Sequence, residues 1–317
     1  MKVISLNGRS KLHLRNTCAA IGIFDGVHRG HQYLIKQMLL AAHRLKAQPM
    51  VLTFFPHPVH VLVPNVKLGY LSSLADRFRL LGELGVRVCV VVRFNPSFAR
   101  IQPQKFIKDI LVKKLGVKAV FVGSDFRFGR DRTGDISLLQ AMGSQYGYET
   151  HAVDELKGAG ETISSTRIRK LLGEARLNEA ARLLGREVTV SGTVIQGAMR
   201  GRTLGYPTAN IAYEAQILPP KGVYVVRVLL GKKKYPAIAN IGTRPSFDRK
   251  NTKVYLEVHI LDFSRNIYGC CLEVEFFKKI RDEKSFTSPQ DLVRQIQKDE
   301  AKTRRYKRSS SFLNTPS

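Results

Sequence analysis

The feature that most limits the folds open to this chain is a change in hydrophobic period near residue 186. Before it, short apolar runs alternate with segments in which apolar residues recur every three to four positions. After it, runs of alternating apolar and polar residues follow one another, separated by glycine and proline. The first pattern predicts a parallel sheet covered on both faces, and the second predicts a small antiparallel barrel. We therefore predict two domains, residues 1–186 and 187–317.

The predicted elements follow from these patterns. In the first domain, strands are expected at 17–24, 49–54, 86–92, 118–122 and 149–153, with helices at 32–47, 74–84, 103–115 and 136–146. In the second domain, strands are expected at 187–195, 208–213, 222–230, 234–242, 253–261 and 271–277. Ser288 should open a closing helix, because Pro289 suits the first helical position and Asp291 the first turn.

Charge is the least ordinary part of the composition. The chain has 52 basic and 25 acidic residues, a formal net charge of +27. Such a surface attracts polyanions and suits phosphorylated substrates, although +27 exceeds what two small nucleotide sites require. The densest basic run, 302–308, precedes SSSFLNTPS, and we predict a helix end followed by a disordered tail over 303–317. Nucleic-acid binding is the competing interpretation of this charge.

Cysteine usage and hydropathy bound the class of protein further. The four cysteines, two of them adjacent at 270 and 271, form no CxxC or CxxH pattern, which argues against zinc and against a disulfide framework. We expect buried, reduced thiols. No segment approaches the roughly 18 apolar residues of a membrane span, and the N-terminus lacks a signal-peptide core. We expect a cytoplasmic protein without a membrane partner.

The strongest local signal is Gly22-Ile-Phe-Asp-Gly-Val-His28-Arg-Gly-His31, between a predicted strand and a predicted helix. Exposed N–H groups at a helix start attract phosphate, and glycines let the backbone approach it closely. His28 and His31 can share one face and stabilise charge during attack at phosphorus. The alternative is two unrelated surface histidines on a turn. Neither GxxxxGK[ST] nor GxGxxG is present, so the usual nucleotide fingerprints are excluded.

Two later segments suit the same chemistry. Ser165 and Thr166 precede a predicted helix that carries Arg169, an arrangement suited to phosphate contacts. An ordinary helix N-cap would explain the same residues. Asp125 to Phe128 falls on a loop after a strand, where both phenylalanines could equally be core residues.

A second candidate site lies in residues 197–210, a glycine-rich basic segment that runs into a strand and can cradle phosphates without a Walker lysine. Thr208 and Asn210 are two apart, so both face one side of a strand, and their oxygens are hard ligands suited to Mg²⁺. A hairpin with a polar face is the alternative. Alternation around Glu257 makes it a solvent-facing strand residue.

The first motif resembles the HxGH motif of the nucleotidylyltransferase superfamily, in the longer form found in bacterial bifunctional riboflavin kinase/FAD synthetases. TFFPHPV at 53–59, VGSDFRFGRDRTGD at 122–135 and ISSTRIR at 163–169 follow in that family's order. The resemblance implies a Rossmann-like α/β domain whose two histidines bind the ATP triphosphate. It implies a nucleotide site made of Gly22, Phe24, Asp25, His28, His31, Asp125, Ser165, Thr166 and Arg169. Phe55 departs from the family, where an acidic residue often precedes Pro-His-Pro.

GAMRGRTLGYPTAN at 197–210 resembles the signature of riboflavin kinases, and NIGTRPSF, YLEVHILDF and IRDEKSF follow in order. The resemblance implies a six-stranded kinase barrel with a C-terminal helix. It implies nucleotide contacts from Gly197, Gly201, Arg202, Gly205, Thr208 and Asn210, the last two also holding the metal. It further implies that Glu257 is the general base and that Arg281 lies near the flavin ring. Ser246 replaces the usual threonine and keeps the hydroxyl.

Together the two resemblances imply phosphorylation of riboflavin to FMN and adenylylation of FMN to FAD, with ATP as co-substrate and Mg²⁺ as cofactor. One alternative is a riboflavin kinase with a degenerate first domain, against which the intact histidine motif argues. Another is a basic RNA- or DNA-binding protein. That interpretation ranks lower, because the chain has no tryptophan and no RNP-like or KH-like run. Oligomeric state stays open.

Overall fold

The computed structural model describes residues 1–7, 12–63, 65–66, 68–158, 160–197, 204–244 and 253–307. The chain divides into two compact units. The first unit comprises residues 1–69 and 74–164, and the second comprises residues 70–73 together with the chain from Ser165 onward.

The first unit is built on a six-stranded sheet. Its strands are β1 (Lys2–Leu6), β2 (Thr17–Ile21), β3 (Gln48–Phe55), β4 (Val88–Arg93), β5 (Val117–Gly123) and β6 (Glu149–Val153). They lie in the order β1-β4-β3-β2-β5-β6, and every pair is parallel, which confirms the predicted sheet. The sequence analysis missed β1, a sheet-edge strand with mostly exposed residues and therefore only a weak apolar signal.

Helices cover both faces of this sheet. They are α1 (Arg29–Arg44), α2 (Pro58–Leu62), α3 (Leu74–Glu83), α4 (Pro96–Ala99), α5 (Pro103–Lys105, continued by a π-helical segment over Phe106–Lys114) and α6 (Ile136–Tyr146). Two short strands, β7 (Lys157–Gly158) and β8 (Glu161–Thr162), form a hairpin near the end of the unit. Neighbouring residues of one strand enter different cores: Leu52 packs on one face of the sheet and Val51 on the other. This two-sided burial is why the strands are nearly continuous apolar runs.

Strand order locates the place where a ligand can bind. From β2 the chain proceeds through β3 to β4 on one side, whereas β5 and β6 lie on the other side of β2. The direction of winding therefore reverses between β2 and β5. In open α/β sheets, ligands bind outside the carboxyl ends of the strands at such a switch point. The histidine motif follows β2, and the Asp125 to Phe128 segment follows β5.

The second unit begins with two helices and continues into a closed barrel. The helices are α7 (Ser165–Gly173) and α8 (Leu177–Leu184). The barrel strands are β9 (Val188–Ile195), β10 (Ala209–Ala212), β11 (Gly222–Leu230), β12 (Lys233–Arg244), β13 (Lys253–Ile260) and β14 (Cys271–Arg281), followed by α9 (Pro289–Lys307). The six strands form a closed barrel in the order β10-β13-β12-β11-β14-β9, and every neighbouring pair is antiparallel. The predicted six-stranded antiparallel barrel and the C-terminal helix after it are both confirmed.

Helix α8 packs against β9 and β14 and buries Leu177, Leu183 and Leu184. Both α7 and α8 thus group with the barrel, and the proposed boundary near Arg186 falls at their end. That boundary stays a prediction.

Two expectations need correction. Helix α9 continues to Lys307, so residues 303–307 are helical rather than part of a tail, and residues 308–317 lie outside the described part of the chain. All four thiols are free, and Cys18 and Cys89 are buried as expected. Cys270 is half-buried and Cys271 exposed, because they stand where β14 begins rather than inside it. Within the described residues, no helix is both long and apolar enough to cross a membrane.

Candidate active sites

The loop that joins β2 to α1 has an unusual backbone. Phe24, Gly26 and Val27 have φ values of 53°, 78° and 40°. The left-handed region suits glycine, but it is costly for a β-branched residue such as valine. Backbone in such conformations persists only where its surroundings hold it, and it concentrates at functional sites.

A buried ion pair holds this loop. Asp25 and Arg77 of α3 are each 1% exposed, and Arg77 Nη2 donates to Asp25 Oδ1 at 3.2 Å. Arg77 Nη1 and Thr53 Oγ1 both donate to the Ile23 carbonyl oxygen at 3.0 Å. Removing one partner of a buried pair costs roughly 3–5 kcal/mol. Asp25 therefore fixes the loop through Arg77, a residue that the sequence analysis missed because it lies in a distant helix.

The two motif histidines are brought together. Their rings stack with centroids 3.6 Å apart and planes at 17°. His28 caps α1, and its Nδ1 accepts from the His31 backbone N–H at 3.3 Å. Because a backbone N–H can only donate, neutral His28 carries its proton on Nε2, which can donate to a phosphate oxygen. His31 Nδ1 is buried and has no hydrogen-bond partner among the described residues.

Gly30 is packed closely against its neighbours, so a side chain there would push them apart. A Cβ at this position would lie 3.2 Å from the His28 ring and 3.3 Å from the Ile163 carbonyl oxygen. Gly30 thus lets α1 begin directly against the histidine pair. Of the other predicted residues, Gly22 lies against the Phe24 ring, and Phe24 is buried with an edge-to-face contact to His31 at 5.2 Å.

Burial, together with the neighbouring His28 and Arg77, holds the pKa of His31 well below its usual 6.5. We expect His31 to stay neutral as pH falls from 7.5 to 6.0, because its folded pKa lies below this window. An NMR titration of ¹³C-labelled histidine in the full-length protein, with a His31→Gln variant for assignment, measures this. A His31 midpoint near 6.5, the value of an unperturbed imidazole, would contradict the expectation.

The other predicted residues of the first site lie in two places. Asp125 is exposed after β5, whereas Phe128 is 8% exposed and packs on Phe106 at 5.4 Å, so Phe128 is a core residue. Ser165 and Thr166 are the first residues of α7, and Arg169 is half-buried one turn later, all in the second unit.

A cavity of about 350 Å³ opens at the carboxyl ends of β1 and β4. It combines apolar side chains such as Phe98 and Ile101 with Arg93 and Asn95. No predicted site residue lines it.

In the barrel, strand register aligns residues that the sequence singles out separately. Asn210 of β10 pairs with Glu257 of β13, which pairs with Asn240 of β12. Asn240 pairs with Val223 of β11, and Val223 pairs with Arg281 of β14. Directly opposed residues share one face of a sheet. At about 4.8 Å per strand, Glu257 stands next to Asn210 and about 14 Å around the barrel from Arg281.

This row lies on the outer face of the barrel. Leu256 and Val258 point into the core with 1% and 0% exposure, whereas Glu257 between them is half-buried. The structure thus agrees with the expected alternation. The structure also shows that the Glu257 carboxylate is partly shielded from water, which strengthens its electrostatic interactions with neighbouring groups.

The oxygen donors beside Glu257 fit a magnesium ion. The Asn210 side chain fills the space beside Gly197, where a Cβ would lie 2.6 Å from the amide Cγ. Thr208 is exposed just before β10. Among the described residues, no cluster of three or more metal-ligating His, Cys, Asp or Glu side chains exists. Mg²⁺ takes oxygen ligands and keeps several waters beside substrate phosphates, so an amide oxygen and a hydroxyl could supply the protein's share of its ligands here.

Two residues that the sequence analysis missed, Tyr255 and His259, support this row through hydrogen bonds. Tyr255 donates to Glu283 Oε1 at 3.0 Å and accepts from Asn240 Nδ2 at 3.3 Å. Burial and the Glu283 carboxylate raise the pKa of Tyr255 to about 12, so its hydroxyl remains a donor. His259 Nδ1 donates to the Pro207 carbonyl oxygen at 2.8 Å, which fixes the segment that carries Thr208.

Arg281 forms an ion pair that joins the end of β14 to α9. Its Nε donates to Asp299 Oδ2 of α9 at 2.8 Å, and its guanidinium carbon lies 5.9 Å from the centre of the Phe286 ring. Asp299 is 2% exposed. Gly205 is exposed with a φ of 82°. Gly201, Arg202 and Ser246 lie outside the described residues.

The two units match two enzyme families. Residues 10–167 match the family model described as FAD synthetase, and residues 184–307 match that described as riboflavin kinase. The chain is therefore a two-domain transferase of flavin cofactor biosynthesis.

Curated relatives show the same pair of domains in one chain. The chain is 40% identical over 308 residues to the bifunctional riboflavin kinase/FMN adenylyltransferase of Escherichia coli K12, with 96% of this chain and 98% of that protein covered. It is 40% identical over 294 residues to the protein of that name from Listeria monocytogenes, with 92% of each covered. The chain belongs to the bifunctional riboflavin kinase/FMN adenylyltransferase family.

A solved structure has the same fold over nearly the whole chain. The crystal structure described as a macrolide-efflux protein from Streptococcus pneumoniae is 32% identical, with a TM-score of 0.86. The match covers 96% of this chain and 99% of that one.

Proposed function

We propose that the second unit phosphorylates riboflavin with Glu257 as general base and that the first unit adenylylates the FMN so formed around His28 and His31. The observation that carries this proposal is the barrel register, which sets Glu257 directly opposite Asn210. A carboxylate beside an amide that can hold a metal ion suits phosphoryl transfer to a hydroxyl, since the first can accept the proton and the second can position the metal.

In the kinase reaction, Glu257 takes the proton of the ribityl 5′-hydroxyl while that oxygen attacks the γ-phosphorus of ATP. The bond to the bridging oxygen breaks, and ADP leaves with its electron pair. Thr208 and Asn210 would hold Mg²⁺, which would neutralise charge on the β- and γ-phosphates. The ribityl chain would extend along the outer row from Glu257, with the ring towards Arg281.

In the adenylyl transfer, a phosphate oxygen of FMN attacks the α-phosphorus of ATP, and pyrophosphate leaves. The fixed Nε2–H of His28 supplies a donor for the triphosphate, and the ring of His31 stacks on it with an Nδ1 that has no partner among the described residues. Donors fixed in advance stabilise the developing charge without reorganising. Asp125 would contact the nucleotide, and the first turn of α1 offers unpaired N–H groups for phosphate contacts. The phosphate contacts expected of Ser165, Thr166 and Arg169, which belong to the second unit, stay a prediction.

Incubation of the protein with riboflavin, ATP and Mg²⁺, followed by chromatographic separation of flavins, tests the proposal. Both FMN and FAD should form, and chelation of the metal should stop both reactions. Formation of FMN alone would instead favour a riboflavin kinase with an inactive first unit. Salt-dependent binding of random RNA without flavin turnover would favour the nucleic-acid alternative.

The domain boundary near Arg186 has its own test. We expect a fragment of residues 187–317 to make FMN but no FAD, because the proposed kinase residues all lie within it. A longer fragment that starts at Ser165 should unfold at a higher temperature, because it keeps the buried leucines of α8 against β9 and β14. Flavin chromatography and thermal melts measure both. A folded 187–317 fragment without kinase activity would show that the assignment to this half is wrong.

A further inference from the structure

A strongly basic cavity in the second unit shares only Arg281 with the residues of the proposed transfer reactions. It measures about 380 Å³ and lies between the end of β14 and one face of α9. Its lining consists of Arg281, Lys284, Gln295, Lys298, Ala301, Lys302 and Arg305. Five of these seven side chains are cationic and none is anionic. We refer to this feature as the basic cavity.

The neighbouring acids neutralise only one of these five cations, since Asp299 pairs with Arg281 and also accepts from Gln295. The other acids pair with side chains outside the cavity: Asp282 with Lys279, Glu283 with Tyr255, and Glu300 with Arg304. Within the part of the chain that the structure describes, Lys284, Lys298, Lys302 and Arg305 form no ion pair. Four like charges around one cavity repel one another, so an anion bound there would relieve an unfavourable term in the folded protein.

Spacing shows what kind of anion fits. Lys298, Lys302 and Arg305 lie four and three residues apart, so they share one face of α9. At 1.5 Å per residue they extend over roughly 10 Å of the helix. A chain of two or three phosphates can contact all three cations with their side chains extended, whereas a single phosphate would require the three side chains to converge against their mutual repulsion.

We infer that the basic cavity binds a polyphosphate anion, either a diphosphate or a triphosphate. Both kinds of anion take part in the reactions of this family, because ATP carries a triphosphate and adenylyl transfer releases pyrophosphate. Single-stranded nucleic acid is the less favoured occupant, because it usually needs aromatic side chains on which bases stack, and none lines the cavity. The site would also account for part of the +27 charge that the catalytic residues leave unexplained.

Lysine footprinting of the full-length protein tests the inference. The protein is acetylated at constant ionic strength in the presence of inorganic pyrophosphate, ATP or orthophosphate. Mass spectrometry then gives the acetylation rate of each lysine. With pyrophosphate at ten times its Kd, roughly nine tenths of the sites are occupied. Lys284, Lys298 and Lys302 should therefore be acetylated roughly tenfold more slowly. Lys232 and Lys233, exposed at the β11–β12 turn, serve as internal controls and should not change. Protection by pyrophosphate alone identifies the released product as the source, and protection by ATP as well identifies a general polyphosphate site.

A matched pair of double variants gives a second readout. K298A/K302A and K232A/K233A remove the same charge, and neither touches a proposed catalytic residue. Loss of two charge-assisted hydrogen bonds should weaken pyrophosphate binding roughly 10²–10⁴-fold and so abolish its protection of Lys284 only in the first variant. Equal protection by orthophosphate, protection by random RNA but not by pyrophosphate, or loss of Lys284 protection in both variants would each overturn the inference.

Discussion

His28→Ala should lower FAD formation about 10²–10³-fold and leave FMN formation nearly unchanged, because a preorganised donor to the developing charge is lost from one site only. Its Nε2–H is fixed by the bond that Nδ1 accepts from the His31 backbone. The measurement is the rate of FAD synthesis from supplied FMN, beside the rate of FMN synthesis from riboflavin.

His28 also caps α1, so a folding control is needed. Loss of a cap costs roughly 1 kcal/mol, whereas His28→Asn retains a good capping residue. His28→Asn should therefore melt near the wild-type temperature and still lose most FAD synthesis. His43→Ala, an exposed histidine on the same helix, should change neither rate. Equal losses of both activities in His28→Ala would show that the residue supports the structure instead.

Glu257→Gln should remove most riboflavin kinase turnover, by roughly 10²–10⁴-fold, with little change in the KM values of riboflavin and ATP. Glutamine keeps the size and most of the hydrogen bonding of the side chain but cannot accept the hydroxyl proton. Phosphoryl transfer depends mainly on positioning and charge stabilisation, so the lower end of this range is the firmer expectation. Steady-state kinetics with separated flavins measure the effect.

The other unit supplies the control for this variant. FAD synthesis from added FMN should survive in Glu257→Gln, and Glu214→Gln, an exposed carboxylate after β10, should keep wild-type kinase turnover. A folded Glu257→Gln protein with near-normal kinase turnover would remove Glu257 from the mechanism.

Local pattern was sufficient for the architecture. The parallel sheet and the barrel both follow from the period at which apolar residues recur, because burial on two faces and burial on one face leave different alternations. Helix α6 and strand β11 have the predicted bounds for the same reason. Strand β1 escaped prediction because a mostly exposed edge strand leaves little periodic signal. Helix α1 begins three residues before its predicted start, since His28 caps it from the loop.

By itself, the sequence determined the two domain types, the two motif-bearing segments and the residue types that could do the chemistry. Only the tertiary structure decided which distant residues meet. Arg77 holds Asp25 from a helix some fifty residues away, and register alone sets Glu257 opposite Asn210 and in line with Arg281. The reason is physical. The period of apolar residues depends on residues that are close together in the sequence. Strand register and buried ion pairs depend instead on packing between distant segments, and a shift of one residue in the register would turn every side chain of a strand to the opposite face.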